Sequence, residues 1–169
     1  MEESVLHRVE TRLPLEEVWK VFTDISNWAS FSDFYKTLRW CGPAWAPGSR
    51  LIGSLRQPRL HFHYYLESLV EFERISYIAH GIEAGFANHR TILFKRDKSH
   101  TAVEVLAYSL GNAVCQMPEK DLELIRQLII RWFDGVASFC DARAMQKSGY
   151  KLDSLAVPQS GGTIYKFET

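Results

Sequence analysis

The sequence is poor in the groups that announce common chemistries. Its three cysteines, Cys41, Cys115 and Cys140, are odd in number, widely separated and never in a CxxC pair. That argues against both a disulfide framework and a zinc site. Neither charge is in surplus, with 20 Lys+Arg against 20 Asp+Glu, so the basic excess that nucleic-acid and other polyanion binding relies on is missing. No apolar run approaches the roughly 18 residues of a membrane span. The opening MEESVLHRVE is charged and holds no apolar h-region, so a cytoplasmic setting is the expectation. No GxSxG nucleophile signature, internal repeat or low-complexity block is present.

What the chain has in quantity is aromatic: five Trp, seven Tyr and ten Phe, 13% of the residues. Such rings fill cores and also line apolar pockets. A length of 169 residues, 46% of them hydrophobic, suits one domain with a full core. The reading is a single domain over 1–149 followed by a tail over 150–169, where Pro158 and Gly161-Gly162 punctuate the chain.

Periodicity orders the elements. Val5, Val9 and Leu13 share one face of a first strand, with His7 and Thr11 beside them. Pro14 opens a helix, Glu16 and Glu17 suit its N-terminus, and Val18, Trp19, Val21 and Phe22 form its apolar side. Asp24 or Ser26 starts a second short helix, with Trp28, Phe31 and Phe34 three apart. Strands follow around 37–41, 49–56, 60–72, 75–81, 87–95 and 101–109, joined by short turns. From Pro118 a long helix carries Leu122, Ile125, Ile129, Trp132, Val136 and Phe139 at steps of three and four. Short links imply an antiparallel meander, and the sheet and the long helix must cover each other. A curved sheet need not fill the space beneath the helix, and that space is the expected cavity.

The stretch RLHFHYYLESLVEF raises the possibility of a metal, because His61 and His63 project from one strand face. Counting faces places Leu60, Phe62, Tyr64, Leu66, Ser68, Val70 and Phe72 together and His61, His63, Tyr65, Glu67, Leu69 and Glu71 opposite. The first set is apolar at every place but Ser68, so it is taken inward. The histidines then face out, and no metal site is assigned. That outer face, with His61, His63, Tyr65 and Leu69, is a candidate contact for a homodimer.

The segment LPLEEVWKVFTDISNWASF, the APGSRL of Ala46–Leu51, the RQPRL of Arg56–Leu60 and the histidine of NHRTILF together resemble the START/SRPBCC superfamily. Its helix-grip proteins include polyketide cyclases/dehydrases, plant pollen allergens and lipid-transfer domains, and the polyketide cyclase/dehydrase-like branch is the nearest in pattern. The resemblance covers roughly residues 4–146. Many relatives carry a proline after the tryptophan, where this chain has Ala29-Ser30-Phe31. The resemblance implies an α+β helix-grip fold: a curved antiparallel sheet around a long C-terminal helix, with two short helices after the first strand. It also implies a hydrophobic small-molecule ligand, polyketide-like, aromatic or lipid, and no cofactor.

Two functions stay open: cyclisation or dehydration by positioning plus general acid/base chemistry, or non-catalytic carriage or sensing of a hydrophobic molecule. A third possibility is an interaction module working through the outer sheet face. His89, taken as inward with Arg90 outward, is the candidate acid or base, and Tyr64 the candidate inward phenol; a purely structural role is open for each. The ligand-lining candidates are Trp28, Phe31, Phe34, Phe62, Tyr64, Tyr77, His89, Trp132, Phe133 and Phe139.

Overall fold

A computed structural model describes residues 4–82, 86–109 and 118–149; the tail expected at 150–169 lies outside these residues. Strand β1 (Ser4–Thr11) leads through Pro14 into helix α1 (Leu15–Thr23). Asp24 then accepts a hydrogen bond from the Ser26 amide at 3.0 Å and caps a 3₁₀ turn, Ile25–Asn27, which runs into the short helix α2 (Trp28–Phe31). Six strands follow: β2 (Tyr35–Cys41), β3 (Arg50–Leu55), β4 (His61–Val70), β5 (Arg74–Gly81), β6 (Phe86–Asp97) and β7 (His100–Ser109). Helix α3 (Glu119–Lys147) closes the described chain.

The seven strands form one antiparallel sheet in the order β1-β7-β6-β5-β4-β3-β2. The meander expected from the short links is thus present, with β1 added at its far edge. The sheet is open and curved, and α3 lies against its inner face. Polar contacts pin α3 to β1: the His7 ring meets the Asp134 carboxylate at 2.7 Å, and Asp141 accepts from the Thr11 hydroxyl at 2.6 Å and the Arg12 amide at 2.9 Å. Helices α1 and α2 pack against both α3 and the sheet. Contacts with these helices help bury both of the adjacent Trp132 and Phe133: Trp132 donates to the Trp28 carbonyl at 3.0 Å, while Phe133 stacks on Phe22 of α1.

Strand alternation holds over most of the sheet and breaks at bulges. The first break lies between Val5 and His7, so Val5 stands 59% exposed rather than facing the core with Val9. A second lies between Leu66 and Ser68. It swaps the faces expected for the end of β4: Leu69 packs on the core, while Val70 is exposed. One extra residue in a strand reverses the parity of everything after it. On α3 the first expected apolar position, Leu122, is exposed, and the buried stripe runs from Ile125 to Cys140.

Close packing fixes where α3 sits. Gly135 lies against the backbone of Phe31, and a Cβ there would overlap the Phe31 carbonyl oxygen. Gly135→Ala should therefore cost about 1–3 kcal/mol of stability in chemical denaturation, as overpacking does. Ser138→Ala, on the exposed side of the same helix, should stay within about 0.5 kcal/mol of the parent.

On the outer face Glu104 is nearly buried and accepts from Lys95 at 2.6 Å and Arg8 at 2.5 Å. The Lys95 hydrogen bond holds the carboxyl below its ordinary range, burial opposes, and Arg8 assists. A carboxyl lowered in the folded state stabilises the fold above its unfolded pKa, and that stability is lost as pH falls through the folded value. Glu104→Gln should flatten the acid limb of the stability–pH curve measured between neutral pH and pH 3.

Candidate functional site

The site grows out of the register of β4, β5 and β6. Tyr64 pairs with Ala79, Tyr65 with Ile78 and Leu66 with Tyr77, so Tyr64, Leu66 and Tyr77 turn inward while Tyr65 and Ile78 turn outward. On β6, Ile92 and Phe94 are buried against the core. Counting back by two along the strand gives Arg90 and Asn88 the same inner face. Arg90 pairs with Tyr77 across the sheet and is 5% exposed.

His89 therefore faces out, pairing with the outward Ile78. Its Nε2 meets the Glu67 carboxylate at 2.7 Å on the outer face. The expectation of His89 inward and Arg90 outward is reversed, because the apolar pair Ile92 and Phe94 sets the parity of β6. His61 is exposed and His63 half-buried on the outer face, as the counting of β4 requires. His63 Nδ1 lies 3.1 Å from the Tyr65 hydroxyl, and burial, then the charge of Arg50, lower its pKa. Among the described residues no group of three or more metal-binding side chains occurs. The bulge that turns Leu69 inward removes it from the proposed outer contact.

Around Arg90 the interior gathers phenols. Its guanidinium carbon lies 5.9 Å from the Tyr64 ring centroid, and its side chain reaches the Tyr77 hydroxyl. The Tyr64 and Tyr35 hydroxyls meet at 3.1 Å. Ring contacts extend the cluster, with Phe62 4.4 Å and Tyr77 4.9 Å from Tyr64, and Trp28 5.5 Å from Tyr35. Among the described residues no carboxylate pairs with Arg90, and its Nε is a buried donor without a partner. Asn88, two residues back on the same face, has a buried Oδ1 without a partner.

Burial keeps the Tyr35 and Tyr77 phenols neutral at neutral pH. Burial raises the Tyr35 pKa well above its ordinary value, reinforced by neighbouring Tyr64. Burial also pushes Tyr77 up to about 12, with the charge of Arg90 opposing. Burial works against the Arg90 cation and its phenol neighbours work for it; the net direction is upward, so the guanidinium stays charged at neutral pH. Among the described residues the cluster thus sets the Arg90 cation beside the hydroxyls of Tyr35, Tyr64 and Tyr77.

The space is small. One hollow of about 10 Å³ lies beside Phe34, Leu55, Leu60, Phe62, Arg90 and Ile125. A second, also about 10 Å³, lies among Trp28, Trp40, Trp45, Tyr64 and Tyr77. Each holds about one water molecule, far less than the open cavity expected from the sequence. Trp45 closes the second hollow from the β2–β3 loop, in a left-handed backbone conformation (φ 56°), with its indole N–H donating to the Thr23 carbonyl at 2.5 Å. Of the lining candidates, Trp28, Phe34, Phe62, Tyr64 and Tyr77 border a hollow. Phe31, Trp132, Phe133 and Phe139 sit in the helix packing around α2 and α3 instead. Tyr35 and Arg90 are the residues that sequence reasoning missed.

A group raised in the folded state as Tyr77 is favours the fold while neutral. The unfolded chain ionises first, so stability is lost as pH rises from about 10 to about 12. Tyr77→Phe should therefore lose less stability than the parent over that interval, as followed by far-ultraviolet circular dichroism.

Comparison with known proteins agrees with the architecture. No protein-family model and no curated protein matches the sequence. Among solved structures, the di-domain ARO/CYC StfQ from the steffimycin biosynthetic pathway aligns over 83% of this chain and 46% of its own, at 17% identity and a TM-score of 0.65. DynU16, a putative protein of the dynemicin biosynthetic locus, aligns over 81% of this chain and 46% of its own, at 13% identity and a TM-score of 0.63. Ara h 8.0201 aligns over 80% of this chain and 98% of its own, at 11% identity and a TM-score of 0.63. The chain thus spans about half the length of StfQ and DynU16. At these identities the likeness is one of fold alone, and that fold is the helix-grip α+β architecture expected from the sequence.

Proposed function

We propose that the protein binds a hydrophobic, aromatic or polyketide-like small molecule between the sheet and α3, with the Tyr35, Tyr64, Tyr77 and Arg90 cluster as its polar handle. The observation that carries this reading is the placement of that cluster. A polar group gathered at the centre of an apolar interior is costly to keep there, and a few convergent polar groups in an apolar surround are how small-molecule sites fix orientation. Two structural neighbours, an ARO/CYC of the steffimycin biosynthetic pathway and a protein of the dynemicin biosynthetic locus, support a ligand of the biosynthetic small-molecule kind.

The hollows hold about 10 Å³ each, whereas ligand pockets usually run to about 300 Å³ or more. Binding therefore requires the interior to open. Trp45, held in a left-handed conformation over one hollow, is the side chain best placed to move.

If the protein is an enzyme, it works by holding a flexible chain in a reactive geometry, which alone can supply about 7 kcal/mol in well-aligned cases. Charge developing on an enolate oxygen would be met by Arg90 and by the hydroxyls of Tyr64 and Tyr77. His89, on the outer face, takes no part. The competing reading, a non-catalytic carrier or sensor, draws on the burial that keeps Tyr35 and Tyr77 protonated at neutral pH.

Native mass spectrometry of the purified protein should show an apolar small molecule bound one to one, released on denaturation. An empty protein that also fails to bind the neutral apolar dye N-phenyl-1-naphthylamine would contradict the reading. With a ligand in hand, Tyr64→Phe separates the two functions. Loss of product with retained binding supports the cyclase; equal loss of both, or no loss of either, supports the carrier.

A further inference from the structure

The ligand body is set by the apolar walls; the charge on Arg90 says something more specific. We infer that the interior site selects molecules bearing an acidic oxygen, a carboxylate, phenolate or enolate on an aromatic or otherwise apolar body, and that this oxygen seats on the Nε edge of Arg90. The inference rests on the proposed interior site and adds the charge class of its occupant.

Four observations converge. Arg90 is 5% exposed, so its charge is out of water. An unpaired buried ion costs several kcal/mol, and among the described residues no carboxylate offsets this one. Second, its Nε has no acceptor. The contacts it does have, the Tyr64 ring face and the Tyr77 hydroxyl, leave an edge of the guanidinium fork unanswered, and that fork suits a carboxylate or a similar planar oxyanion. Third, Arg90 borders a hollow whose other walls include Phe34, Leu55, Leu60, Phe62 and Ile125, so an oxygen at Arg90 would be carried by an apolar body. Fourth, Asn88 on the same strand face has a buried side-chain oxygen without a partner. An Asn amide can present either its oxygen or its NH₂ group, so with the amide turned over it offers a second donor to the same face. Tyr35 and Tyr77, held protonated by burial, are donors as well. Donors therefore crowd one place where no described group supplies an anion.

The test compares two probes of one shape, 2-naphthoate and 2-naphthamide, by isothermal titration calorimetry at neutral pH. The parent protein should bind the carboxylate at least about tenfold more tightly, the worth of one charge-assisted hydrogen bond in a dry site, and 2-naphthoate should raise its melting temperature more. Arg90→Gln should erase the difference between the probes. Arg90→Lys, which keeps the charge without the planar fork, should retain part of it. Circular dichroism shows whether each variant is folded, and the comparison of probes on the parent decides the matter even if neither variant folds. Equal affinities of the two probes on the parent would overturn the inference and leave the interior site standing. A carboxylate preference that survives intact in folded Arg90→Gln would overturn it too, placing the anion on surface cations such as Arg56 or Arg59. Binding of neither probe would overturn the inference together with the reading beneath it.

Discussion

A guanidinium has been taken out of water and, among the described residues, has phenols rather than a carboxylate around it, and much of the interior is arranged around that fact. Arg90 lies over the ring of Tyr64, reaches the hydroxyl of Tyr77 and keeps its Nε without a partner. Replacing such a cation with a hydrophobic side chain would ordinarily be neutral or stabilising. Its presence at the middle of the inner sheet face is therefore poorly explained by stability and well explained by an occupant that carries the opposite charge.

The fold makes that position available. β5 and β6 run antiparallel in unbroken register from Arg74↔Leu93 to Gly81↔Phe86, so the inward set of one strand determines the inward set of the other. Ile92 and Phe94 anchor β6 to the core, and the strict two-residue period carries Arg90 inward with them. Helix α3, held close to α2 at Gly135 and tied to β1 through Asp134 and Asp141, is then fixed at the distance that leaves only slivers of space beneath it. The same geometry that buries the charge also closes the site, which ties ligand uptake to movement of a wall or a loop.

Much of this was legible in the residues. The seven strands, the short helices after Pro14 and the long helix after Pro118 follow from periodicity and from the placement of proline and acidic residues. The outward direction of His61 and His63 follows from the apolar partners Phe62, Tyr64 and Leu66. What was not legible depends on single-residue events. The bulges after Val5 and at Glu67 leave no mark in the alternation until pairing partners are known, and each reverses the faces beyond it. Arg90 was legible in principle, because Ile92 and Phe94 alternate with Thr91, Leu93 and Lys95. A histidine looks functional in a sequence, and an arginine beside it looks like surface. Tyr35 was hidden differently: it follows Phe34 at the junction of a short helix and an edge strand, where neither period applies.

The most direct measurement is a crystal structure of the protein grown with 2-naphthoate. This account requires the carboxylate within ordinary hydrogen-bond distance of Arg90 Nε, the naphthalene between α3 and the inner sheet face, and His89 still outside with Glu67. Density for the Arg90 side chain in solvent, or for the ligand on the outer face beside His61 and His63, would contradict it.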